Sequence, residues 1–226
     1  MARRRLWFVT GIAVLLIGGA VFVYRSLNTE KTETPDSSLI GDQYEIPSIG
    51  FEQVEANYDW NFPEDYGAHP TFQREEWMLS TSNDCSHHLI ANFSLLNIVP
   101  PILPVDRESE WAVESIMTAQ LMIRDEDSVI VDKVADSRVA LNLAGANGDR
   151  VWIENWELNW VDGTLTVVGI EDTLNITLVL EEPSVDPVDG WYQYTRPVTL
   201  NGSFSFAEED ATISCEAVLT HRFGTP

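Results

Sequence analysis

From about residue 77 onward, apolar and polar residues alternate with a period of two. "CSHHLIANFSLL" puts Cys85, His87, Leu89, Ala91, Phe93 and Leu95 on one side of an extended chain. "TLNITLVL" does the same with Leu174, Ile176, Leu178 and Leu180, and "VTLNGSFSF" with Leu200, Gly202, Phe204 and Phe206. "ATISCEAVLTHRF" aligns Ile213, Cys215, Ala217, Leu219, His221 and Phe223. "DRVWIENWELNWV" reads as one more strand, with Trp152, Glu154, Trp156, Leu158 and Trp160 on a single face. A period of two sends successive side chains to opposite faces, so each segment has one covered and one wet face, as in antiparallel sheets. Turn-forming residues break the pattern at "GANGD", "VDG", "EEPSVDPVDG" and "AEED". The expectation is an all-β antiparallel barrel or sandwich of roughly eight to ten strands.

The first 25 residues follow another rule. "MARRR" precedes "LWFVTGIAVLLIGGAVFVY", a run of 19 residues without a charge. At about 1.5 Å per residue such a helix is about 28 Å long, enough to cross the hydrocarbon core of a bilayer. Arginines ahead of the run keep the N-terminus cytoplasmic and send the rest outward. The competing reading is a cleaved signal peptide, which calls for a shorter apolar region and a small-residue cleavage site. No Ala-x-Ala precedes Tyr24. Residues 1–25 are therefore expected to be a single-pass anchor in the cell inner membrane, 26–60 a polar linker, and 61–226 an extracytoplasmic β domain.

Charge limits the partners. The chain has 36 Asp and Glu against 13 Lys and Arg, and four of those bases flank the apolar run. What remains repels nucleic acid and anionic headgroups. No Gly-rich phosphate loop or triad spacing is present, and no cofactor is implied.

Between the linker and the first strand lies "FPEDYGAHPTFQREEW", residues 62–77. It resembles the entry motif of the lipocalin-like proteins that include carotenoid 1,2-hydratase (hydroxyneurosporene synthase) and the AttH proteins. Phe62, Pro63, Asp65, Gly67, His69, Pro70, Phe72, Glu75 and Trp77 match that motif in place. "VWIENWEL" resembles the family's Trp-x-Glu-Asp-Trp segment, "YTRPVTLNG" (beginning at Tyr194) a later stretch, and "LTHRFG" its closing Asp-His-x-Trp-Gly. The resemblance runs from about residue 60 to 224 and implies a lipocalin-like fold, with residues 62–77 lying across one end of it and His69 and Trp77 closing that end. It covers one of the two halves that family members carry in tandem. Departures bear on chemistry. Glu76 and Met78 replace two aromatic positions, Gln120 a histidine, and Thr220 the closing Asp, a candidate proton donor.

Hydrating an isolated alkene needs a strong proton donor in a dry site, and threonine cannot be one. Glu154 and His221 are the remaining catalytic candidates. On the one-strand reading, Glu154 shares a face with three Trp, as an acid or as a hydrogen-bonded structural acceptor. Trp77, Trp152, Glu154, Trp156, Trp160 and Tyr194 form the candidate wall for an apolar ligand. Cys85 and Cys215, inward on the domain's terminal strands, make the one intramolecular disulfide two cysteines allow in an exported protein. Their alternative, a metal site with His87 and His221, has spacings that fit no common zinc pattern, so no metal is expected.

Three functions follow. The favoured one is a membrane-anchored AttH-type domain that binds an apolar small molecule or lipid, or is accessory to a membrane export or attachment complex. The second is a carotenoid hydratase-like enzyme. The third is a non-catalytic half-domain that pairs with itself or with a partner chain.

Overall fold

The computed structural model describes residues 48–55, 57–102, 114–125, 128–169, 172–185, 188–206 and 209–225. The apolar run and most of the linker lie outside them. Among the described residues, no helix is long and apolar enough to cross a membrane.

A short 3-10 helix, Glu64–Tyr66, precedes the strands β1 (Arg74–Thr81), β2 (His88–Asn97), β3 (Ser115–Arg124), β4 (Val129–Arg138), β5 (Ala144–Ala146) and β6 (Arg150–Ile153). They continue as β7 (Trp156–Asn159), β8 (Thr164–Val168), β9 (Thr173–Leu180), β10 (Ser184–Val185), β11 (Tyr192–Phe206) and β12 (Glu209–Gly224). All pair antiparallel in one sheet of order β4-β3-β2-β1-β12-β11-β9-β8-β7-β6-β5, with β10 beside β11. The sheet curls until β3 and β4 meet β6, without a backbone ladder across that seam. It is a nearly closed barrel, in line with the all-β, lipocalin-like expectation.

The alternation read from the sequence is the inside-outside pattern of this barrel. Leu89, Ala91, Phe93 and Leu95 point inward from β2, Leu174, Ile176 and Leu178 from β9, and Ile213, Ala217, Leu219, His221 and Phe223 from β12. With Trp77, Leu79, Met117, Leu121, Val151, Leu158 and Leu200, most of them join one continuous core. Each fully buried side chain of this size contributes about 1.5–3 kcal/mol. Away from the seam, Lys133 of β4 forms an ion pair with Asp172, between β8 and β9, and lies over the Phe206 ring at the end of β11, 5.2 Å from its centroid. One of the chain's two lysines thus ties β4 to the β8–β9 connection.

Twelve strands form where roughly eight to ten were expected, and two further expectations need correction. The stretch 149–161 is not one strand. It turns back at Glu154 and Asn155, where Glu154 adopts a left-handed φ of 51°, and Ile153 then pairs with Trp156. Directly paired residues share a face, so the turn reverses the parity: Val151 and Ile153 face inward before it, Leu158 after it. Trp152 is turned outward over Gly145 and under the Arg150 guanidinium, which lies 4.9 Å from its ring. The second correction is Cys85, which lies in the β1–β2 turn and not on a strand. The disulfide stands: Cys85 is bonded to Cys215, with Cα atoms 5.7 Å apart.

Candidate functional site

Residues 48–55 and 57–72 lie across the barrel end where β1 and β11 begin and β12 finishes. Glu52 N–H to the Thr71 carbonyl at 2.9 Å closes this strap on itself, and Glu55 N–H to the Tyr192 hydroxyl at 2.6 Å ties it to β11. The 3-10 helix turns Asp65 inward, where its carboxylate is capped from three sides. The Asn61 N–H donates to it at 2.5 Å, the Tyr58 hydroxyl at 3.0 Å and His69 Nε2 at 3.3 Å. His69 Nδ1 donates to Glu75 Oε1 at 2.8 Å, and the His69 main-chain N–H reaches the two Glu75 oxygens at 2.9 and 3.1 Å. From β12, His221 Nε2 donates to the same Oε1 at 2.7 Å. Tyr58, Asp65, His69, Glu75 and His221 thus form one chain of hydrogen bonds from the surface strap to the sealed interior.

Strand register puts these groups in place. Glu75 has the inward parity of Trp77 and Leu79 on β1, and Trp77 pairs directly with His221. The Trp77 and His221 rings stack at 4.8 Å, and Tyr194 meets His221 edge-on at 5.1 Å. His69 stacks on Phe223 at 3.6 Å. Tyr58, Trp60, Phe62, Tyr66 and Tyr192 complete an aromatic plug above them.

Burial sets the charges. It works against a charged His69, but the hydrogen bonds and charges of Glu75 and then Asp65 outweigh it and hold the His69 pKa above 6.5. Burial also opposes ionisation of Glu75, yet the hydrogen bonds from His221 and His69 keep it an anion, with its pKa below 4.5. For His221, burial prevails over its bond to Glu75 and pushes the pKa down. The Asp65 main chain, facing the His221 ring from the strap, acts with Glu75 against that fall. His221 Nδ1 and Trp77 Nε1 are buried and meet no partner at hydrogen-bond geometry.

His69, Glu75 and His221 offer three ligand-type atoms within 4.8 Å of one another. Metal ligands at about 2.0–2.1 Å from an ion stand about 3.3 Å apart in a tetrahedron. The separations of 2.7 and 2.8 Å to Glu75 are those of hydrogen bonds, and the geometry is that of a self-satisfied relay. The other metal constellation weighed from the sequence is closed to an ion, since both cysteines are in the disulfide.

Beside the relay is an open cleft of about 580 Å³. Its walls are Val54, Tyr58, Trp60, Val185, Val188, Trp191 and Tyr192, with Glu55, Asn57, Asp189 and Gln193 at the polar positions. Tyr58 belongs to both cleft and relay. Its hydroxyl donates to Asp65, and burial together with that bond pushes its pKa far up, so it is no base at neutral pH.

The candidates from the sequence fall into two groups. Trp77, Trp160, Tyr194 and His221 come together in the core around the relay, with Trp160 stacked on Trp77 at 6.2 Å. Trp152, Trp156 and Glu154 do not join them. Trp156 is half-buried at the start of β7, and Glu154 is exposed on its turn, where neither dryness nor a Trp cage surrounds its carboxylate. Tyr58, Asp65, Glu75 and Tyr192 were not singled out as site residues. A signal existed for Glu75, a carboxylate at inward parity between Gln73 and Trp77.

No family model matches the chain, and no curated protein is significantly similar to it. Among solved structures, a protein from Nitrosomonas europaea described as an AttH has the same fold, with a TM-score of 0.61 at 18% identity. The match covers 78% of this chain and 59% of that one, so the chain spans less than two thirds of its length.

Proposed function

We propose that this protein is a membrane-anchored, extracytoplasmic lipocalin-like domain of AttH type that binds an apolar ligand without transforming it. The observation that carries the reading is the aromatic-walled cleft at the plugged barrel end. Its volume of about 580 Å³ is within the roughly 300–1,000 Å³ usual for ligand pockets. The barrel interior is the weaker candidate, because its inward side chains interlock into a continuous core.

Binding is favoured over turnover by the state of the relay. His69 is held between two carboxylates, Glu75 between two imidazoles, and His221 is sealed from solvent. Tyr58 is the member that lines the cleft, and it holds its proton. A hydratase needs a free acid facing substrate, and the relay offers none there. The pairing of this half-domain with itself or another chain has one observation in its favour, the open seam between β4 and β5 in the strand order.

The test is photocrosslinking of the full chain in lipid nanodiscs with a neutral benzophenone-tagged alkyl alcohol, mapped by peptide mass spectrometry. Crosslinks should concentrate in 54–60 and 185–193, and Val185→Glu should suppress them. Labelling scattered over the barrel, or no higher than in empty nanodiscs, would overturn the reading.

A further inference from the structure

The cleft has a charge pattern that selects among apolar ligands. Its polar lining comprises two carboxylates, Glu55 and Asp189, and two amides, Asn57 and Gln193, with no Lys or Arg among the described residues. One of its possible donors, the Tyr58 hydroxyl, is already committed. It donates to Asp65, and the Tyr192 hydroxyl oxygen accepts the Glu55 N–H at 2.6 Å. An anionic ligand would meet two carboxylates and no cationic side chain among the described lining residues. A cation would meet carboxylates and the rings of Tyr58, Trp60, Trp191 and Tyr192, whose faces are electron-rich.

The same barrel end already uses its aromatics this way. The Arg222 guanidinium lies 4.6 Å from the Trp191 ring centre, and that of Arg196 lies 4.5 Å from Tyr66. Arg222 does not spoil the cleft for a cation, because Glu76 neutralises it through contacts of 2.6 and 2.8 Å. Arg196 donates to the Glu181 carbonyl and is not part of the lining.

We infer that the cleft is a site for an organic ammonium ion with an apolar body, its charge held between Glu55, Asp189 and the aromatic rings and its alkyl or aryl part against Val54, Val185 and Val188. This rests on the ligand-binding reading of the cleft and narrows it to one chemical class. Free fatty acids and other apolar anions are the excluded class.

The test reuses the full chain in zwitterionic nanodiscs and the neutral benzophenone probe. Hexyltrimethylammonium, 1-hexanol and hexanesulfonate are the competitors. Hexyltrimethylammonium should displace the probe at about one-tenth the concentration of 1-hexanol, and hexanesulfonate should be the weakest. Glu55→Gln and Asp189→Asn should each reduce that preference about threefold, and together bring the two competitors within about twofold. Asp84→Asn, an exposed carboxylate at the opposite barrel end, should change nothing. The preference should persist in 1 M NaCl, where the screening length is about 3 Å.

Equal competition by 1-hexanol or hexanesulfonate, with labelling still in the cleft, would overturn the ammonium inference alone. A preference that Asp84→Asn weakens as much as Asp189→Asn, or that salt abolishes, would assign it to the diffuse acidic surface and overturn the inference too. Loss of cleft labelling altogether would remove the ligand-binding reading beneath it.

Discussion

His221 donates to Glu75 across 146 residues of sequence, and both side chains are fully buried. The bond joins the closing strand β12 to the opening strand β1 from inside. A carboxylate sealed in the core persists because four hydrogen-bond contacts reach it, three from His69 and one from His221. Such a pair is costly to build and more costly to break, since removing one partner leaves the other buried and unmatched.

Glu75→Gln should therefore destabilise the domain by roughly 3 kcal/mol, within the range for breaking a buried ion pair. Glutamine keeps one carbonyl acceptor but loses the charge that raises the His69 pKa. Urea unfolding followed by near-UV circular dichroism measures it. A loss below about 1 kcal/mol would show that the charge adds little beyond an ordinary hydrogen bond.

Stability should peak near pH 6.5. The folded pKa of His69 is raised, so its contribution is complete below 6.5 and fades as pH rises toward the folded value. The folded pKa of His221 is lowered, so its contribution is complete above 6.5 and fades as pH falls. Glu75, also lowered, adds a further loss below pH 4.5. His69→Gln should flatten the alkaline limb and leave the acid limb in place. Melting temperatures of both proteins between pH 4 and 9 decide it.

Much of this fold was legible because β-strands advertise their inward face every second residue. The segments starting at 88, 173, 192 and 209 kept their parity from end to end, and so did the barrel. Parity was misread at Glu154 because "EN" carries no Gly or Pro, and a two-residue turn inside a Trp-rich run looks like continued alternation. The relay was only half legible. His69, Glu75 and Trp77 stood in the motif, but joining Glu75 to His221 required the β1–β12 register, which no local pattern encodes. The cleft depended on a loop and a strap meeting in space, and their sequences are merely polar and aromatic.

Trp77→Ala and Glu154→Gln should behave oppositely. Trp77 is fully buried between His221 and Trp160, so truncation should cost about 3–5 kcal/mol, as large-to-small core changes do. Glu154 is exposed on its turn, so the isosteric change should leave the folded protein indistinguishable from wild type by melting temperature and by crosslinking in the cleft. A clear loss of either property in Glu154→Gln would restore Glu154 to the site.

The 19-residue apolar run with arginines ahead of it supports an uncleaved anchor with the C-terminus outside. Alkaline phosphatase fused after Pro226 should be active, and the mature protein should retain Met1 or Ala2 at its start. N-terminal sequencing that begins near residue 26 would show a cleaved leader instead.

The disulfide links compartment to stability. It ties the β1–β2 turn to β12 at the end opposite the relay and spans 130 residues of sequence. The chain-entropy relation puts the stabilisation from closing so long a loop at about 4–5 kcal/mol, an upper figure. Such a bond persists in an oxidising compartment and is rare in the cytosol. Replacing both cysteines by Ser should therefore lower stability by up to that amount while leaving the circular dichroism of the folded state unchanged. Protein expressed in the cytosol of a reducing host should carry two free thiols and match the double variant in urea midpoint, and oxidation should raise that midpoint. Equal midpoints for oxidised and reduced wild type would show that the turn and β12 are held together by packing alone.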